Sequence, residues 1–462
     1  MLTQALTLLI ISVVFFLVLV PLSYSIIGIW LSELGMWLVW VPLGMIGYET
    51  YQFFAIESQN DLLAVQGILL VCILFNSISV VRLVIPIFRV NATTKQCSEA
   101  MRKYLGPDYL HYITSSNCVN FFSCVQFKIT YYFRSLQRKT LIDQVTTIKN
   151  LTYKIVDGKD LKLNVHYPTA EGIYPVIVFI HGGGWIFGSK DKPAHERTCK
   201  LLASLGYTVF NINYRLIPPE YIFSKKPLIL ENPQLNELVA DVDSALHYAK
   251  ENAIKYKGNP SKIFVFGRSA GAHLALLTTF IPETYSKIAG VIALYPVTDL
   301  EGFYDYYKRN HKRKLSIVGS SFDETEDHKM LYKMFSPLSY VNEDNVDNIP
   351  PVFLATGVKD RLVDPEQSIA LFDRMQKLGV QSVLLKLPWA NHGFDQVLSG
   401  PGGQIIFKYI THFLAWVLAQ EELEDIEFKA KEHGLPSVIS REKIRSIYSN
   451  TEQRQNITEN AL

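Results

Sequence analysis

Three long apolar runs open the chain. The first, Ala5–Tyr24, has no charged residue, the second, Ile26–Tyr48, has only Glu33, and the third, Leu62–Val81, has none. As a helix, a run of about 20 residues crosses a hydrocarbon core of ~30 Å. The pattern predicts three membrane helices. Because Glu33 and Pro42 interrupt the second run, two helices joined by a re-entrant segment are the alternative. A cleaved signal peptide fits the first run poorly, because neither a preceding basic region nor a small-residue cleavage pattern is present.

From about residue 150, short apolar runs alternate with amphipathic segments. The apolar runs predict strands at Thr152–Ile155, Leu161–Tyr167, Pro175–Ile180, Thr208–Tyr214, Ile263–Phe266, Val291–Tyr295, Val352–Thr356 and Ser382–Leu387. The amphipathic segments predict helices at His195–Leu205, Leu238–Asn252, Ala270–Phe280, Pro365–Lys377 and Gln404–Leu418. Strands and helices alternate from the third strand on, which is typical of a mainly parallel sheet covered by helices on both faces. The pattern therefore predicts an α/β fold.

A serine stands between one of these strands and the next helix, in the pentapeptide Gly267-Arg268-Ser269-Ala270-Gly271. A G-x-S-x-G turn between a strand and a helix strains the backbone and exposes the serine hydroxyl above the sheet. The flanking glycines are needed because a Cβ atom there would collide with the neighbouring elements. Ser269 is therefore the candidate nucleophile, although a serine needs a base and an oxyanion site to act.

Three glycines follow an earlier strand, in His181-Gly182-Gly183-Gly184-Trp185. Such a run loses much backbone entropy on folding, so it indicates a place where bare backbone N–H groups must face a developing negative charge. Ala270, the residue after the nucleophile, supplies a further N–H group. A flexible loop is the alternative, and the serine turn downstream argues against it.

The candidate acid and base follow the last two strands. Asp360 lies in the loop after the strand that begins at Val352, and His392 lies just past the strand that ends at Leu387. Catalytic residues of open α/β sheets gather outside the carboxyl ends of the strands. We expect His392 to take the proton of Ser269 and Asp360 to orient the imidazole.

Other residues compete for these roles. Asp364 precedes Pro365, which is a helix-start signal, so we expect it to cap a helix; Asp299 is the third choice for the acid. We expect His181 to orient the glycine loop by hydrogen bonds and His273 to pack. For Arg268, a salt bridge to a nearby carboxylate is favoured over recognition of an acidic substrate.

Composition narrows the function classes. The chain has 45 Lys and Arg against 43 Asp and Glu, so a net charge of +2 gives no case for nucleic-acid binding. Five cysteines are too sparse for a disulfide framework. The sequence has no CxxC pair or histidine cluster with metal-ligand spacing, so we expect no metal and no cofactor. We treat the N-x-[ST] triplets at Asn91, Asn150 and Asn456 as chance matches.

The placement of basic residues predicts an orientation. The loop between the second and third runs holds Glu49, Glu57 and Asp61 and no basic residue. The stretch after the third run holds Arg82, Arg89, Lys95, Arg102 and Lys103. Because basic residues favour the cytoplasmic side, we expect an integral membrane protein whose α/β domain faces the cytoplasm.

On the residues quoted above, the region from about Leu151 to Leu418 resembles the α/β-hydrolases of the HGGG-type esterase and lipase family, the hormone-sensitive-lipase-like group and its carboxylesterase relatives. The resemblance implies the α/β-hydrolase fold, a triad of Ser269, Asp360 and His392, and oxyanion donors at Gly183, Gly184 and Ala270. Two further segments, Asp191–Arg197 and Pro388–Asp395, resemble a subgroup with a multi-span amino-terminal membrane region.

The predicted organisation has four parts. These are a membrane region at 1–90, a juxtamembrane linker or collar at 91–149, an α/β-hydrolase domain at 150–420 and a charged tail at 421–462. The aromatic residues of the second part suit an amphipathic segment against the bilayer or a collar against the hydrolase, and both remain open. Two insertions, Ile217–Leu235 and Gly302–Pro337, are candidate caps over the site.

The resemblance implies a membrane-anchored serine esterase that cleaves carboxylic esters, lipids among the candidate substrates, through an acyl-enzyme. Methylesterase action on prenylated cysteines is the second hydrolase interpretation. A non-catalytic esterase-like interaction module is the alternative from another class, and the complete triad argues against it. Acyl and alcohol specificity and oligomeric state stay open.

Overall fold

A computed structural model describes residues 2–22, 40–54, 62–107, 109–112, 144–217, 235–282, 288–311 and 326–432 of the chain. Eight strands form one sheet in the order β1-β2-β4-β3-β5-β6-β7-β8. Their bounds are β1 Val145–Val156, β2 Lys159–Pro168, β3 Tyr174–Ile180, β4 Thr208–Ile212, β5 Gly258–Arg268, β6 Gly290–Leu294, β7 Val352–Gly357 and β8 Ser382–Leu387. All eight predicted strands are present, and the largest differences are the earlier starts of β1 and β5.

Ten α-helices accompany the sheet in the described residues. Their bounds are α1 Leu2–Leu22, α2 Trp40–Phe54, α3 Leu62–Leu105, α4 Pro193–Ser204, α5 Leu235–Asn252, α6 Ala270–Phe280, α7 Leu300–His311, α8 Glu326–Met334, α9 Pro365–Lys377 and α10 Pro401–Glu432. Short 3₁₀ turns lie at Tyr109–Tyr112, Ile254–Tyr256, Pro337–Tyr340 and Val346–Asn348. Helices α6 and α9 have the bounds that the sequence predicts.

The sheet is antiparallel at one edge and parallel elsewhere. Strand β2 pairs antiparallel with both β1 and β4, and every pair from β4 through β3, β5, β6 and β7 to β8 is parallel. The predicted mainly parallel sheet is therefore confirmed. Because parallel strands end at the same edge, the residues after β3, β5, β7 and β8 meet there.

Both faces of the sheet are buried, and alternate residues of β3 belong to two different hydrophobic cores. Val176, Val178 and Ile180 belong to one hydrophobic core, whereas Ile177 and Phe179 belong to another. Side chains alternate between the two faces of a strand, so a strand that is apolar at every position needs cover on both sides. Helices α5, α6 and α9 contribute to the first core, and α4 and α10 contribute to the second.

The amino-terminal helices differ from the expected spans in their bounds. Helix α1 covers the first apolar run up to Leu22. Residues 23–39, which include the first part of the second run, lie outside the described residues, and residues 40–54 form α2. Helix α3 has 44 residues with Pro86 inside it, so it continues well beyond Val81, the predicted end of the third run. Among the described helices, Val65–Leu105 is long and apolar enough to cross a membrane.

The last turns of α3 pack against the α/β domain. Cys97 and Met101 are buried in the second core, and Ser98 Oγ lies 2.6 Å from the Tyr409 hydroxyl of α10. The same hydroxyl donates to the Thr94 carbonyl oxygen over 2.7 Å. The expected linker at 91–149 thus begins inside a continuous helix that packs on the α/β domain; residue 108 and residues 113–143 of it lie outside the described residues. Helix α10 likewise continues past residue 421 to Glu432.

Candidate active site

The candidate nucleophile occupies a strained turn. Strand β5 ends at Arg268, α6 begins at Ala270, and Ser269 between them has φ 53° and ψ −122°. A Cβ atom at Gly267 would lie 2.3 Å from the Gly271 carbonyl oxygen. A Cβ atom at Gly271 would lie 2.3 Å from the Ile180 carbonyl oxygen. The turn therefore requires both glycines, and it holds the serine in a backbone conformation that L-residues rarely adopt.

The structure brings Ser269, His392 and Asp360 together in a line of hydrogen bonds. His392 Nε2 lies 2.8 Å from Ser269 Oγ, and His392 Nδ1 lies 2.7 Å from Asp360 Oδ2. With the imidazole proton on Nδ1, Asp360 accepts that proton's hydrogen bond and Nε2 is free to accept from the serine. The geometry thus presents a base to the hydroxyl that stands on the strained turn.

The carboxylate of Asp360 is held from its other side. Its Oδ1 atom accepts the backbone N–H groups of Leu362 (2.9 Å) and Val363 (3.0 Å). Asp360 is 2% exposed, so these bonds and the imidazole replace the water that the carboxylate loses. The acid is thereby fixed in the orientation that the imidazole needs.

The glycine loop lies against the nucleophile turn. A Cβ atom on Gly182 would be 2.7 Å from the Arg268 carbonyl oxygen and 3.2 Å from Ser269 Cβ. Gly183 has φ +141° and Gly184 has φ +61°. Within the described part of the chain, the N–H groups of Gly183, Gly184 and Ala270 donate to no protein acceptor. Three bare donors therefore stand beside the serine.

Two buried histidines support the glycine loop. The His181 ring stacks on Tyr214 at 4.5 Å and on His195 at 5.8 Å, and its Nδ1 donates to the Gly182 carbonyl oxygen over 3.0 Å. The Tyr214 hydroxyl donates to the His181 carbonyl oxygen over 2.9 Å. Burial lowers the pKa of His181 to about 4, so this ring is neutral. These contacts agree with the loop-orienting role that the sequence predicts for His181.

His273 anchors the other end of the loop. The Trp185 indole donates to His273 Nδ1 over 3.2 Å, and His273 Nε2 donates to the Phe335 carbonyl oxygen over 2.8 Å. Burial lowers the pKa of His273 to about 4, which keeps the Nδ1 lone pair available for the indole. His273 packs as predicted, and it also joins α6 to the glycine loop.

The competing acids have other partners. Asp364 Oδ1 accepts the Glu366 N–H at 3.0 Å and caps α9. The Asp299 carboxylate accepts the N–H groups of Glu301 and Gly302, each at 3.2 Å, at the start of α7. Both contacts are typical of helix N-caps.

Sequence reasoning missed two residues behind the triad, Asp395 and Tyr295. Arg268 pairs with the buried Asp395, Nε to Oδ2 at 2.6 Å, which confirms the predicted salt bridge. Asp395 also accepts the Tyr295 hydroxyl over 2.5 Å, and the Tyr295 ring lies 4.5 Å from the imidazole of His392. The position of Asp395, three residues after His392, is the only sequence signal for this arrangement.

The described residues contain no group of three or more His, Cys, Asp or Glu side chains that could hold a metal ion. The chemistry that this arrangement supports is nucleophilic attack by the serine with proton transfer through the histidine. The adjacent N–H groups are placed to stabilise an oxyanion.

One family model and several curated proteins are similar to this chain. The BD-FAE family model matches residues 163–375. A probable isoprenylcysteine alpha-carbonyl methylesterase of Oryza sativa subsp. japonica is 27% identical over 243 residues, 50% of this chain and 54% of that protein. The probable carboxylic ester hydrolase LipM of Mycobacterium tuberculosis is 27% identical over 267 residues, 54% of this chain and 56% of that protein. The chain thus spans about half the length of the curated relatives it matches.

Solved structures of esterases are also similar. The apo form of Thermogutta terrifontis esterase 2 is 25% identical, with a TM-score of 0.43, over 62% of this chain and 96% of that chain. A fungal esterase from Rhizomucor miehei is 21% identical, with a TM-score of 0.47, over 67% of this chain and 98% of that chain. The BD-FAE match thus covers a little under half of the chain, and the curated relatives of this chain include a probable carboxylic ester hydrolase.

Proposed function

We propose that this chain is a membrane-anchored serine hydrolase that cleaves carboxylic esters through an acyl-enzyme. The observation that carries the proposal is the line of hydrogen bonds from Ser269 through His392 to Asp360, beside three unpaired backbone N–H groups. The names of the curated relatives, which include esterases and a carboxylic ester hydrolase, support the same reaction class.

The first half-reaction acylates the serine. Ser269 Oγ attacks the ester carbonyl carbon while its proton passes to His392 Nε2. The carbonyl oxygen takes up the negative charge and receives hydrogen bonds from the N–H groups of Gly183, Gly184 and Ala270. When the tetrahedral intermediate collapses, the bond to the alcohol oxygen breaks and His392 returns the proton to that oxygen. Asp360 stabilises the imidazolium and does not itself take a proton.

The second half-reaction releases the acid. Water attacks the acyl carbon, and His392 Nε2 accepts one of its protons. The same N–H groups stabilise the second oxyanion, and collapse returns the proton to Ser269 Oγ. The overall reaction consumes one ester and one water and releases one carboxylic acid and one alcohol. The residues named above account for every proton transfer in it.

The amino-terminal helices support the membrane anchor. Most of the strongly exposed large hydrophobic side chains in the described residues precede residue 90, among them Ile10, Leu74 and Phe88. Three polar side chains, Ser12, Glu49 and Asn76, are instead fully buried and hydrogen-bonded to one another between α1, α2 and α3. Apolar side chains outside and polar side chains that hydrogen-bond to one another inside are typical of a helix bundle in lipid. We therefore assign residues 1–90 to the membrane and retain 150–420 as the hydrolase.

Methylesterase action on a prenylated cysteine is the second candidate. Isoprenylcysteine methylesterases of Oryza sativa subsp. japonica and Arabidopsis thaliana are among the curated relatives. A membrane anchor would also bring the site close to substrates whose prenyl chain lies in the bilayer. The two candidates share one mechanism and differ in the alcohol released, which is methanol for the second.

One experiment tests the reaction and separates the candidates. The full chain, solubilised in detergent, should react with a fluorophosphonate probe at Ser269 and hydrolyse a series of acyl esters. Ser269→Ala should abolish labelling and lower kcat by at least ~10³-fold. A prenylcysteine methyl ester in the same series tests the second candidate. Labelling that persists in Ser269→Ala would remove Ser269 as the nucleophile. A wild-type chain that neither reacts with the probe nor hydrolyses any ester would favour a non-catalytic module.

A further inference from the structure

A buried ion pair lies directly behind the triad. The Arg268 side chain is 2% exposed and donates to the fully buried Asp395, from Nε at 2.6 Å and from a terminal nitrogen at 2.5 Å. The same terminal nitrogen lies 2.9 Å from Thr198 Oγ1 of α4. The guanidinium also lies over the rings of Phe179 and Phe266, at 5.2 and 5.8 Å. A cation and an anion are thus held in a fixed geometry away from water.

Both ends of this pair belong to catalytic loops. Arg268 immediately precedes Ser269, and Asp395 follows His392 by three residues. Since the two partners are 127 residues apart in sequence, the pair ties the nucleophile turn to the histidine loop. This tie is separate from the hydrogen bond between Ser269 and His392.

Tyr295 extends the pair to the imidazole. Its hydroxyl donates to Asp395 Oδ1 over 2.5 Å, and its ring lies 4.5 Å from the His392 ring at an interplanar angle of 59°. Tyr295 follows β6 with φ 42°, so its backbone is strained like that of Ser269. The Ser269 N–H donates to the carbonyl oxygen of the neighbouring Leu294 over 2.9 Å. The end of β6 therefore supports both the base and the nucleophile.

We propose that Arg268, Asp395 and Tyr295 are positioning residues that hold the His392 imidazole at Ser269. In this proposal the positive charge of Arg268 and the negative charge of Asp395 cancel in their effect on the imidazole. This inference rests on the proposed function. Asp395 fixes the Tyr295 hydroxyl, the Tyr295 ring bounds one side of the imidazole, and Arg268 neutralises the carboxylate.

The use of an ion pair here favours a functional role. A buried ion pair is often no more stabilising than apolar side chains of the same volume, because both charges lose their hydration. The charged groups near His392 include Asp360, its direct partner, Arg361, whose N–H donates to the Asn391 side chain, and the Arg268–Asp395 pair behind Tyr295. Removing one member of the pair leaves a single charge in a medium of low permittivity, where it acts on the imidazolium over several ångströms.

The sign of that effect provides the test. Asp395→Asn keeps the shape of the side chain and leaves the Arg268 cation unpaired. The acidic limb of the kcat/KM–pH profile should then move to lower pH, by roughly one pH unit, because an unpaired positive charge disfavours the imidazolium. The double variant Arg268→Met/Asp395→Asn removes both charges and should return the limb to the wild-type position. If the pair only stabilises the fold, these variants should have a lower melting temperature and an acidic limb at the wild-type position.

Tyr295→Phe tests the positioning role without changing any charge. It also provides a test of the proposal if Asp395→Asn does not fold. It keeps the ring and removes the hydroxyl that Asp395 holds. We expect kcat to fall about tenfold while KM stays within twofold, because the ring is freed and the ester-binding surface is unchanged. A kcat within twofold of wild type, or an unshifted limb in Asp395→Asn, would overturn the inference.

Arg215→Met is the matched control. Arg215 forms a second salt bridge to a fully buried carboxylate, Asp241, at 2.8 Å, and it follows β4, two strand positions from the nucleophile turn. This variant should lose stability with no displacement of the limb; a displacement like that of Asp395→Asn would contradict the inference.

Ser269→Ala separates the positioning role from the proposed function. Suppose that the wild-type chain is active, that Ser269→Ala is inactive and that the acidic limb of Asp395→Asn does not move. The positioning role would then fail, and the proposed function would stand.

Discussion

The hydroxyl of Tyr306 donates a hydrogen bond to the backbone carbonyl oxygen of Asp360 over 2.8 Å. Tyr306 belongs to α7, within the insertion Gly302–Pro337, and Asp360 is the carboxylate that faces His392. The contact joins the candidate cap to the loop that carries the acid. A change in α7 is therefore expected to reach the triad through the backbone of Asp360, without any contact with the nucleophile.

The acid is the first prediction. Asp360→Asn should lower kcat on the order of 10⁴-fold, because an amide in place of Oδ2 presents the wrong partner to His392 Nδ1–H and favours the wrong tautomer. The change is local, since an asparagine Oδ1 still accepts the N–H groups of Leu362 and Val363. Steady-state ester hydrolysis by the solubilised chain measures the effect.

Asp364→Asn is the matched control for that prediction. Asp364 caps α9 through the Glu366 N–H, and asparagine caps helices about as well as aspartate. Both kcat and the melting temperature should stay close to wild type. If Asp364→Asn were the variant that lost activity, the acid would have been assigned to the wrong carboxylate.

The glycine loop provides the second prediction. A Cβ atom at Gly183 would lie 1.8 Å from the Phe187 carbonyl oxygen, so Gly183→Ala must displace the loop backbone. Its N–H groups would no longer face the oxyanion, and kcat should fall by about 10²- to 10³-fold. At Gly184 the nearest atom would be 3.8 Å away, and φ is +61°. Gly184→Ala should therefore cost only about 1–2 kcal/mol of backbone strain and much less activity. Equal loss in both variants would contradict the geometry.

Much of the fold could be predicted because its signals are local. The runs from Pro175 to Ile180 and from Ser382 to Leu387 are apolar over strand length, and Asp364 with Pro365 marks a helix start. The serine turn and the glycine loop were recognised because each needs glycines at fixed positions. The candidate acid and base, Asp360 and His392, were then located because they follow the carboxyl ends of later strands.

What could not be predicted depends on long-range contacts. Asp395 and Arg268 meet across 127 residues, and nothing in either segment identifies the other. The extension of α3 to Leu105 was missed because Arg82, Pro86 and Arg89 interrupt the apolar run after Val81 and the chain becomes polar from Asn91. Helix there is stabilised by tertiary packing of Cys97, Met101 and Leu105 on the hydrolase core, which composition does not reveal.

The third prediction concerns pH and stability. Burial, with a smaller contribution from the Arg268 charge, lowers the pKa of His195 to about 3, whereas an unfolded histidine titrates near 6.5. Between these values the unfolded chain binds one proton more than the folded chain, so stability is lost as pH falls from about 6.5 towards 3. This histidine contributes up to ~1.4 kcal/mol per pH unit. His195→Phe keeps a ring beside His181 and should reduce the slope of melting temperature against pH between 4 and 6. Equal slopes in the two proteins would show that His195 does not contribute to acid lability.

The last prediction concerns topology. Ala5 of α1 packs with Val65 and Leu69 of α3, so the amino-terminal ends of these two helices lie together. The hydrolase follows the opposite end of α3, after the basic residues Arg82, Arg89, Lys95, Arg102 and Lys103. Basic residues favour the cytoplasmic side, so the hydrolase should lie in the cytoplasm and the amino terminus across the membrane. Alkaline phosphatase fused after Leu462 should then be inactive, and the chain should resist extraction by alkaline carbonate. Phosphatase activity from that fusion would mean that the domain is exported. The site would then face a different pool of esters, and the Asn150 and Asn456 triplets would have to be reconsidered as glycosylation sites.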